Sequence, residues 1–280
     1  MAFGIDYSFG SGLTANKMKA ANVAFVCRYL SWQPNPKNIN KIEFDNLIKA
    51  GLHIVLVWEG TGRDLVNGFR GGQHDAEEAN RQAHVLGAPT IPIYFAPCDY
   101  DVPEGDQGMI NAYLNGAAST IGMGRTGFYG GYWPLSRAFN GHHMSWGWQT
   151  YAWSGGNVDH RAHLYQYQNA ARLGPAEVDF DHSLKADFGG WPRPQPGKAQ
   201  PAPHPHPAPA PPPAKPPAPA AGPPYRHTLG DRTLEQMAQA RGTTVEHLWV
   251  TTVRAVNQAD LAVIGKQKLG SAFPVYTTSP

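Results

Sequence analysis

Short apolar runs recur through the first half of the chain. Each ends in a polar or acidic residue and is followed by a stretch with helical spacing. The pattern predicts strands at Phe3–Asp6, Phe25–Leu30, His53–Trp58, 91–96 and 127–132. Between them it predicts helices at 14–22, 40–50, 73–86, Gln107–Ile121 and a short one at 134–139. Thr14 is placed to cap the first helix, and Gly51, Gly87 and Gly122 close the second, third and fourth. The pattern then changes. Segments 146–152, 163–168 and 177–180 read as strands, with gaps too short for crossover helices. Five βα units and three further strands predict an α/β fold, a TIM-like (β/α)5β3 barrel over residues 1–191.

Composition changes the picture at one place. In 192–224 about half the residues are proline and about half of the rest alanine. Proline has no amide donor, so this stretch is expected to be an extended spacer, with a reach of the order of 100 Å. His204 and His206 within it read as spacer residues rather than metal ligands. The remaining segment, 225–280, is long enough for a small second domain.

The net charge of the 280-residue chain is only +2, which points away from nucleic acid as a partner. Residues 1–191 hold 14 basic and 17 acidic side chains, so the large domain is slightly acidic. Cys27 and Cys98 lie in apolar runs and are expected to be buried free thiols. The start, MAFGIDYSFG, lacks a basic segment followed by a long apolar one, and no apolar run is long enough for a membrane helix. The expectation is therefore a protein made in the cytoplasm with no membrane insertion, and a monomer.

The active site of such a barrel lies where its strands end. The residues there are Asp6, Glu59, Asp99, Asp101, Tyr129, Trp148, Gln149, Tyr165, Gln166, Asp179 and Asp181. Side chains two apart in a strand share a face, which would aim Asp99 with Asp101 and Asp179 with Asp181. Glycoside hydrolysis needs one protonated carboxyl for the leaving oxygen and one ionised carboxylate. Crowding pushes their pKa values apart. The expected catalytic set is Asp6, Glu59, Asp99, Asp101 and Asp179. Tyr129 and Trp148 would stack on sugars. Gln149, Tyr165, Gln166 and Asp181 would complete the binding surface. A single Asp at a strand end can equally be a helix cap or loop anchor, and a carboxylate cluster can hold a cation, but no metal-ligand spacing is present. No cofactor or metal is expected. There is no G-x-S-x-G, and His142 and His143 read as solvated loop residues.

The stretches FGIDYS, IYFAPCDYD, GFYGGY, WGWQTYAWSGG and LYQYQN followed by VDFD resemble the glycoside-hydrolase-like family once labelled domain of unknown function 1906, itself similar to the family 25 lysozymes. The resemblance spans about residues 1–191. It implies action on bacterial peptidoglycan, cleaving after N-acetylmuramic acid. By that resemblance Asp6, Asp99 and Asp179 match the lysozyme aspartates, and Asp101 stands where those enzymes carry an acid glutamate. That departure leaves Asp101 and Glu59 as rival proton donors. YRHTLGDRTLEQMAQARGTTVEHLWVTTVRAVNQADL, then GKQKL and FPVYT, resembles a lysin-motif (LysM) domain, which implies a βααβ unit that binds N-acetylglucosamine chains. The combination resembles a bacteriophage endolysin, held in the host cytoplasm until lysis and antimicrobial in effect. Two alternatives stand beside it: a non-catalytic glycan-binding barrel and a bacterial wall-remodelling hydrolase.

Overall fold

The computed structural model describes residues 1–8, 12–32 and 34–193. The expected spacer from residue 194 on and the expected LysM-like segment lie outside the described residues. Eight strands close into a barrel in chain order: β1 (Phe3–Asp6), β2 (Phe25–Leu30), β3 (His53–Trp58), β4 (Ile93–Phe95), β5 (Thr126–Gly130), β6 (Trp146–Thr150), β7 (Leu164–Leu173) and β8 (Ala176–Ser183). Five helices pack around them: α1 (Ala15–Ala20), α2 (Lys41–Lys49), α3 (Gly68–Leu86), α4 (Gln107–Ile121) and α5 (Tyr132–Asn140).

The helix starts follow local chemistry. Thr14 Oγ1 accepts from the Lys17 amide at 3.3 Å, and Asn40 Oδ1 from the Glu43 amide at 2.9 Å. Helix α3 starts five residues earlier than its hydrophobic pattern indicated, and the added residues include Gly68, Gly71 and Gly72. A Cβ on Gly72 would lie 1.9 Å from the Tyr113 carbonyl oxygen, and one on Gly116 1.9 Å from that of Phe69. The two glycines let α3 and α4 cross backbone to backbone, and this crossing outweighs their poor helix propensity.

Strand alternation sorts the core into two layers. Inside the barrel lie Phe25, Cys27, Val55, Val57, Tyr94, Trp146, Trp148 and Leu164. Between barrel and helices lie Ile5, Val26, Ile54, Leu56, Trp58, Phe95 and Phe128, with the helix residues Leu47, Tyr113 and Leu114. Cys27 and Cys98 are free and buried. Buried Arg28, on the outer face of β2, donates from Nε to Glu43 Oε1 of α2 at 2.7 Å and from Nη1 to the Tyr7 carbonyl at 2.5 Å, which clamps α2 to the barrel. Among the described residues no helix is long and apolar enough to cross a membrane.

Two features differ from the pattern in the chain. Strands β1 to β7 are parallel to their neighbours, but β8 runs antiparallel to both β7 and β1. It returns through a tight turn at Gly174, whose φ of 60° suits glycine. Strand β4 stops at Phe95, because Pro97 cannot donate to a ladder. The chain beyond it is stitched to the loop after β3, Leu65 N donating to the Pro97 carbonyl and Asp99 N to that of Gly62.

Candidate active site

Three carboxylates meet inside the barrel at the end where the parallel strands finish. Asp6, the last residue of β1, lies opposite Asp179 on β8, and Gln166 of β7 lies opposite Asp181. The reversal of β8 puts Asp179 and Asp181 in mid-strand, not at its C-terminal end.

Asp6 is 2% exposed. Its Oδ1 accepts from Tyr29 Oη at 2.6 Å and its Oδ2 from Gln166 Nε2 at 2.8 Å. Burial raises its pKa, and those two donors with the charge of Lys37 work the other way. Asp181 is fully buried, and its Oδ1 accepts from Trp148 Nε1 at 2.8 Å. Its Oδ2 meets no donor among the described residues. A buried carboxylate oxygen without a donor favours the protonated form. Burial first, then the charge of Asp6, pushes the Asp181 pKa well up.

Asp179 is the half-buried member, and so the one solvent can reach. Gln166 Nε2 donates to its Oδ2 at 3.1 Å and the Ala170 amide to its Oδ1 at 2.8 Å. That amide is presented by an irregular stretch of β7, where the pairing shifts between Gln166 and Ala171 and Ala170 takes a φ of 51°. A bulge of this kind re-aims a strand locally. Burial, then the charge of Asp6, raises the Asp179 pKa to about 7. The charge of Asp99 acts in the same direction.

The remaining expected residues divide by face. Tyr129 is inward, donating from Oη to Gln166 Oε1 at 2.8 Å. Gln166 is buried and bridges Asp6 and Asp179, so it positions carboxylates instead of facing a sugar. Trp148, expected to stack on sugar, is 1% exposed and lies beneath Tyr129 with ring centroids 4.7 Å apart. Gln149 is fully buried on the outer face, donating to the Asn157 carbonyl at 2.7 Å and accepting from the Asp159 amide at 2.8 Å. It holds the loop after β6 and has no free group for a ligand. Tyr165 also points outward, against His182 at 5.5 Å. The expectations for Trp148, Gln149 and Tyr165 as sugar contacts are corrected accordingly: Gln149 and Tyr165 have the outward parity of their strands, whereas Trp148 faces inward but is sealed in the core.

Asp99 and Asp101 lie in the loop after β4, both exposed, so the rule that aims alternate strand residues together does not apply to them. Asp101 has no hydrogen bond or ion pair among the described residues. Glu59 sits on the rim, its Oε1 paired with Lys37 Nζ at 2.6 Å. Lys37 also lies over the Tyr29 ring, 3.9 Å from its centroid. Tyr29 and Lys37 were not among the expected residues. Alternation in β2 would have found Tyr29, which shares the face of Phe25 and Cys27; nothing local marks Lys37.

The chain matches the Rv2525c-like, glycoside hydrolase-like domain over residues 16–183. No curated protein matches it. Among solved structures it is similar to the Mycobacterium tuberculosis Tat-secreted protein Rv2525c in complex with L-tartrate, at 28% identity and a TM-score of 0.63, covering 68% of this chain and 98% of that one. A glycosyl hydrolase 25 of Streptococcus pneumoniae described as a virulence factor gives 14% identity and a TM-score of 0.46, over 65% of this chain and 86% of its own. A muramidase from Trichobolus zukalii gives 14% and 0.45, over 65% and 93%. The expectation of a protein held in a host cytoplasm until lysis is overturned by the first of these, which is a secreted protein. That expectation rested on the hydropathy of the first residues and on the resemblance to an endolysin, neither of which decides the compartment. With a match spanning well over half its length, the chain belongs to the Rv2525c-like, glycoside hydrolase-like domain family.

Proposed function

We propose that the barrel is a peptidoglycan hydrolase that cleaves the glycan strand of the bacterial cell wall as a muramidase does, acting after export. The observation that carries this reading is Asp179: a half-buried carboxyl with a pKa raised to about 7, aimed into the barrel mouth by Gln166 and the Ala170 amide. A glycosidic oxygen leaves as an alcohol only if it is protonated as the C–O bond breaks, and a carboxyl still protonated near neutrality supplies that proton. In this reading Asp179 is the general acid. Asp6 keeps the proton on it by charge, and Gln166 orients both. Asp99, exposed on the loop after β4, is the partner that activates water or stabilises the positive charge on the sugar. Neither of the two rival donors from sequence takes the acid role: Glu59 is engaged by Lys37, and Asp101 is exposed and unsupported.

Release of new reducing ends from purified peptidoglycan tests the reading. New amino termini with no reducing ends would mean a peptidase or amidase, and no release at all would mean a binding barrel. The pH profile carries the signature. Because the acid form is required, kcat/KM is expected to fall as pH rises through about 7. Stability follows the same group. The folded-state pKa lies above the unfolded value of 3.8, so its contribution is full below about pH 4 and is lost as pH rises through about 7. Asp179→Asn should flatten the decline in melting temperature over that window. A decline of unchanged slope in this variant would locate the titrating group elsewhere.

We propose further that 225–280 anchors the protein to wall glycan, joined by the proline-rich spacer. Tethering raises local substrate concentration without altering the chemistry. Deleting 192–280 is expected to reduce co-sedimentation with cell walls while leaving hydrolysis of soluble glycan fragments unchanged. Equal sedimentation of the two forms would remove the anchor role.

A further inference from the structure

Trp32 lies outside the machinery described above. It follows β2 by two residues, on the barrel end where Tyr29 meets Asp6, and it is 43% exposed. Exposed side chains ordinarily sample several rotamers, but this ring is held on three sides. Its Nε1 donates to Asp75 Oδ1 at 3.1 Å, and Asp75 Oδ2 in turn accepts from buried Tyr113 Oη at 2.5 Å. One part of the ring system stacks on His74, with centroids 4.3 Å apart at 26°. An edge contact with Trp58, 5.5 Å at 89°, fixes its tilt.

The indole has one polar atom, and that atom is satisfied within the protein. What remains for solvent is an apolar aromatic surface, already ordered, so a ligand loses little by ordering it. Such a surface selects a ligand with a flat apolar face and polar edges, which is the C–H face of a pyranose ring. Neighbouring residues lead toward the carboxylates. Trp58 touches Trp32, Glu59 follows Trp58, Lys37 pairs with Glu59 and covers Tyr29, and Tyr29 donates to Asp6. Lys37 and Glu59 are each about three-quarters covered, and their remaining surface offers a donor and an acceptor to sugar hydroxyls.

We propose that Trp32 is a saccharide-binding platform on the β2–β3 rim. It stacks one pyranose ring of a glycan strand and leads that strand past Lys37 and Glu59 to Asp179. The assignment of the strand's destination rests on the hydrolase reading; the stacking does not. Trp32 thus takes the role that sequence assigned to the buried Trp148.

The test uses the full chain and a soluble tetrasaccharide of alternating N-acetylglucosamine and N-acetylmuramic acid. Trp32→Ala should raise KM for the tetrasaccharide about tenfold with kcat little changed, the pattern of lost ground-state binding. Trp32→Tyr, which keeps a ring, should recover much of the loss. If Trp32→Ala destabilises the chain, Trp32→Tyr and His74→Ala carry the comparison, with His74→Ala expected to raise KM by loosening the ring. Hydrolysis with a KM unmoved by these changes overturns the platform and leaves the hydrolase reading intact. If the wild type releases no reducing ends, calorimetric titration with the tetrasaccharide decides. Binding that weakens in Trp32→Ala upholds the platform and sinks the hydrolase, whereas no binding, or binding indifferent to Trp32, overturns the platform.

Discussion

Replacing Asp179 with asparagine is expected to lower the rate of reducing-end release by ~10²–10⁴, the usual contribution of a positioned general acid. The substitution keeps the shape of the side chain and an acceptor oxygen for the Ala170 amide, and removes the transferable proton. Loss of activity with an unchanged melting temperature at low pH would therefore report chemistry and not folding. Asp101→Glu, which restores the residue the lysozymes carry, and Glu59→Gln are each expected to change the rate less than about tenfold. Asp101 is exposed and unheld, and removing the Glu59 charge frees Lys37 without removing any partner of Asp6, Asp179 or Asp181. Asp181→Asn should be tolerated better than Asp179→Asn, because a protonated acid and an amide are alike in charge and Trp148 Nε1 still finds an acceptor. Full activity in Asp179→Asn, or its loss in Asp101→Glu, would remove Asp179 from the acid role.

The largest stability loss is expected from Gly72→Ala. On helix propensity alone this change would stabilise α3 by up to ~1 kcal/mol. Against that, the new Cβ would sit 1.9 Å from the Tyr113 carbonyl oxygen, a backbone atom that cannot rotate away. Relief requires α3 and α4 to separate, which unseats Ala76 and Ala79 of α3 and Tyr113 and Ala117 of α4 from the core. Overpacking of this kind costs ~3 kcal/mol or more, so the clash wins by a wide margin. Gly108→Ala in the first turn of α4 is the control, since a Cβ there meets nothing within 4 Å. It is expected to be neutral or stabilising by less than ~1 kcal/mol. Urea titrations of the two variants read the difference directly. A Gly72→Ala protein within about 1 kcal/mol of the wild type would mean that the helices do not cross as described.

Much of the barrel is legible in the order of its residues. Eight strands and five helices can be counted from apolar runs and periodicity, and Thr14, Asn40 and Gly87 mark helix ends through interactions that span only a few residues. The carboxylates that meet inside the barrel, Asp6, Asp179 and Asp181, can be picked out because they end or interrupt apolar runs. Local pattern also misled in identifiable ways. Residue type marks Trp148, Gln149, Tyr165 and Gln166 as sugar contacts, but type records neither that Gln149 and Tyr165 face outward nor that Trp148 and Gln166 are sealed beneath the site. The glycine-rich start of α3 carries no helical signal because propensity is a local quantity, whereas the close crossing that favours Gly72 is made with a segment about forty residues away.

By itself, then, the chain determined the kinds and order of its elements and the supply of acidic groups near strand ends, since propensity, capping and alternation act over a few residues. The tertiary structure alone decided that β8 runs backwards, that Asp6 and Asp181 are sealed in while Asp179 is half open, and that Gln166 bridges two carboxylates. It also placed Lys37 over Tyr29 and locked Trp32 to Asp75. Most of these join residues distant in the chain, as Asp6 to Gln166 and Trp32 to Asp75 do. The behaviour of the three carboxyls depends further on burial and neighbouring charge, which exist only once the barrel has closed.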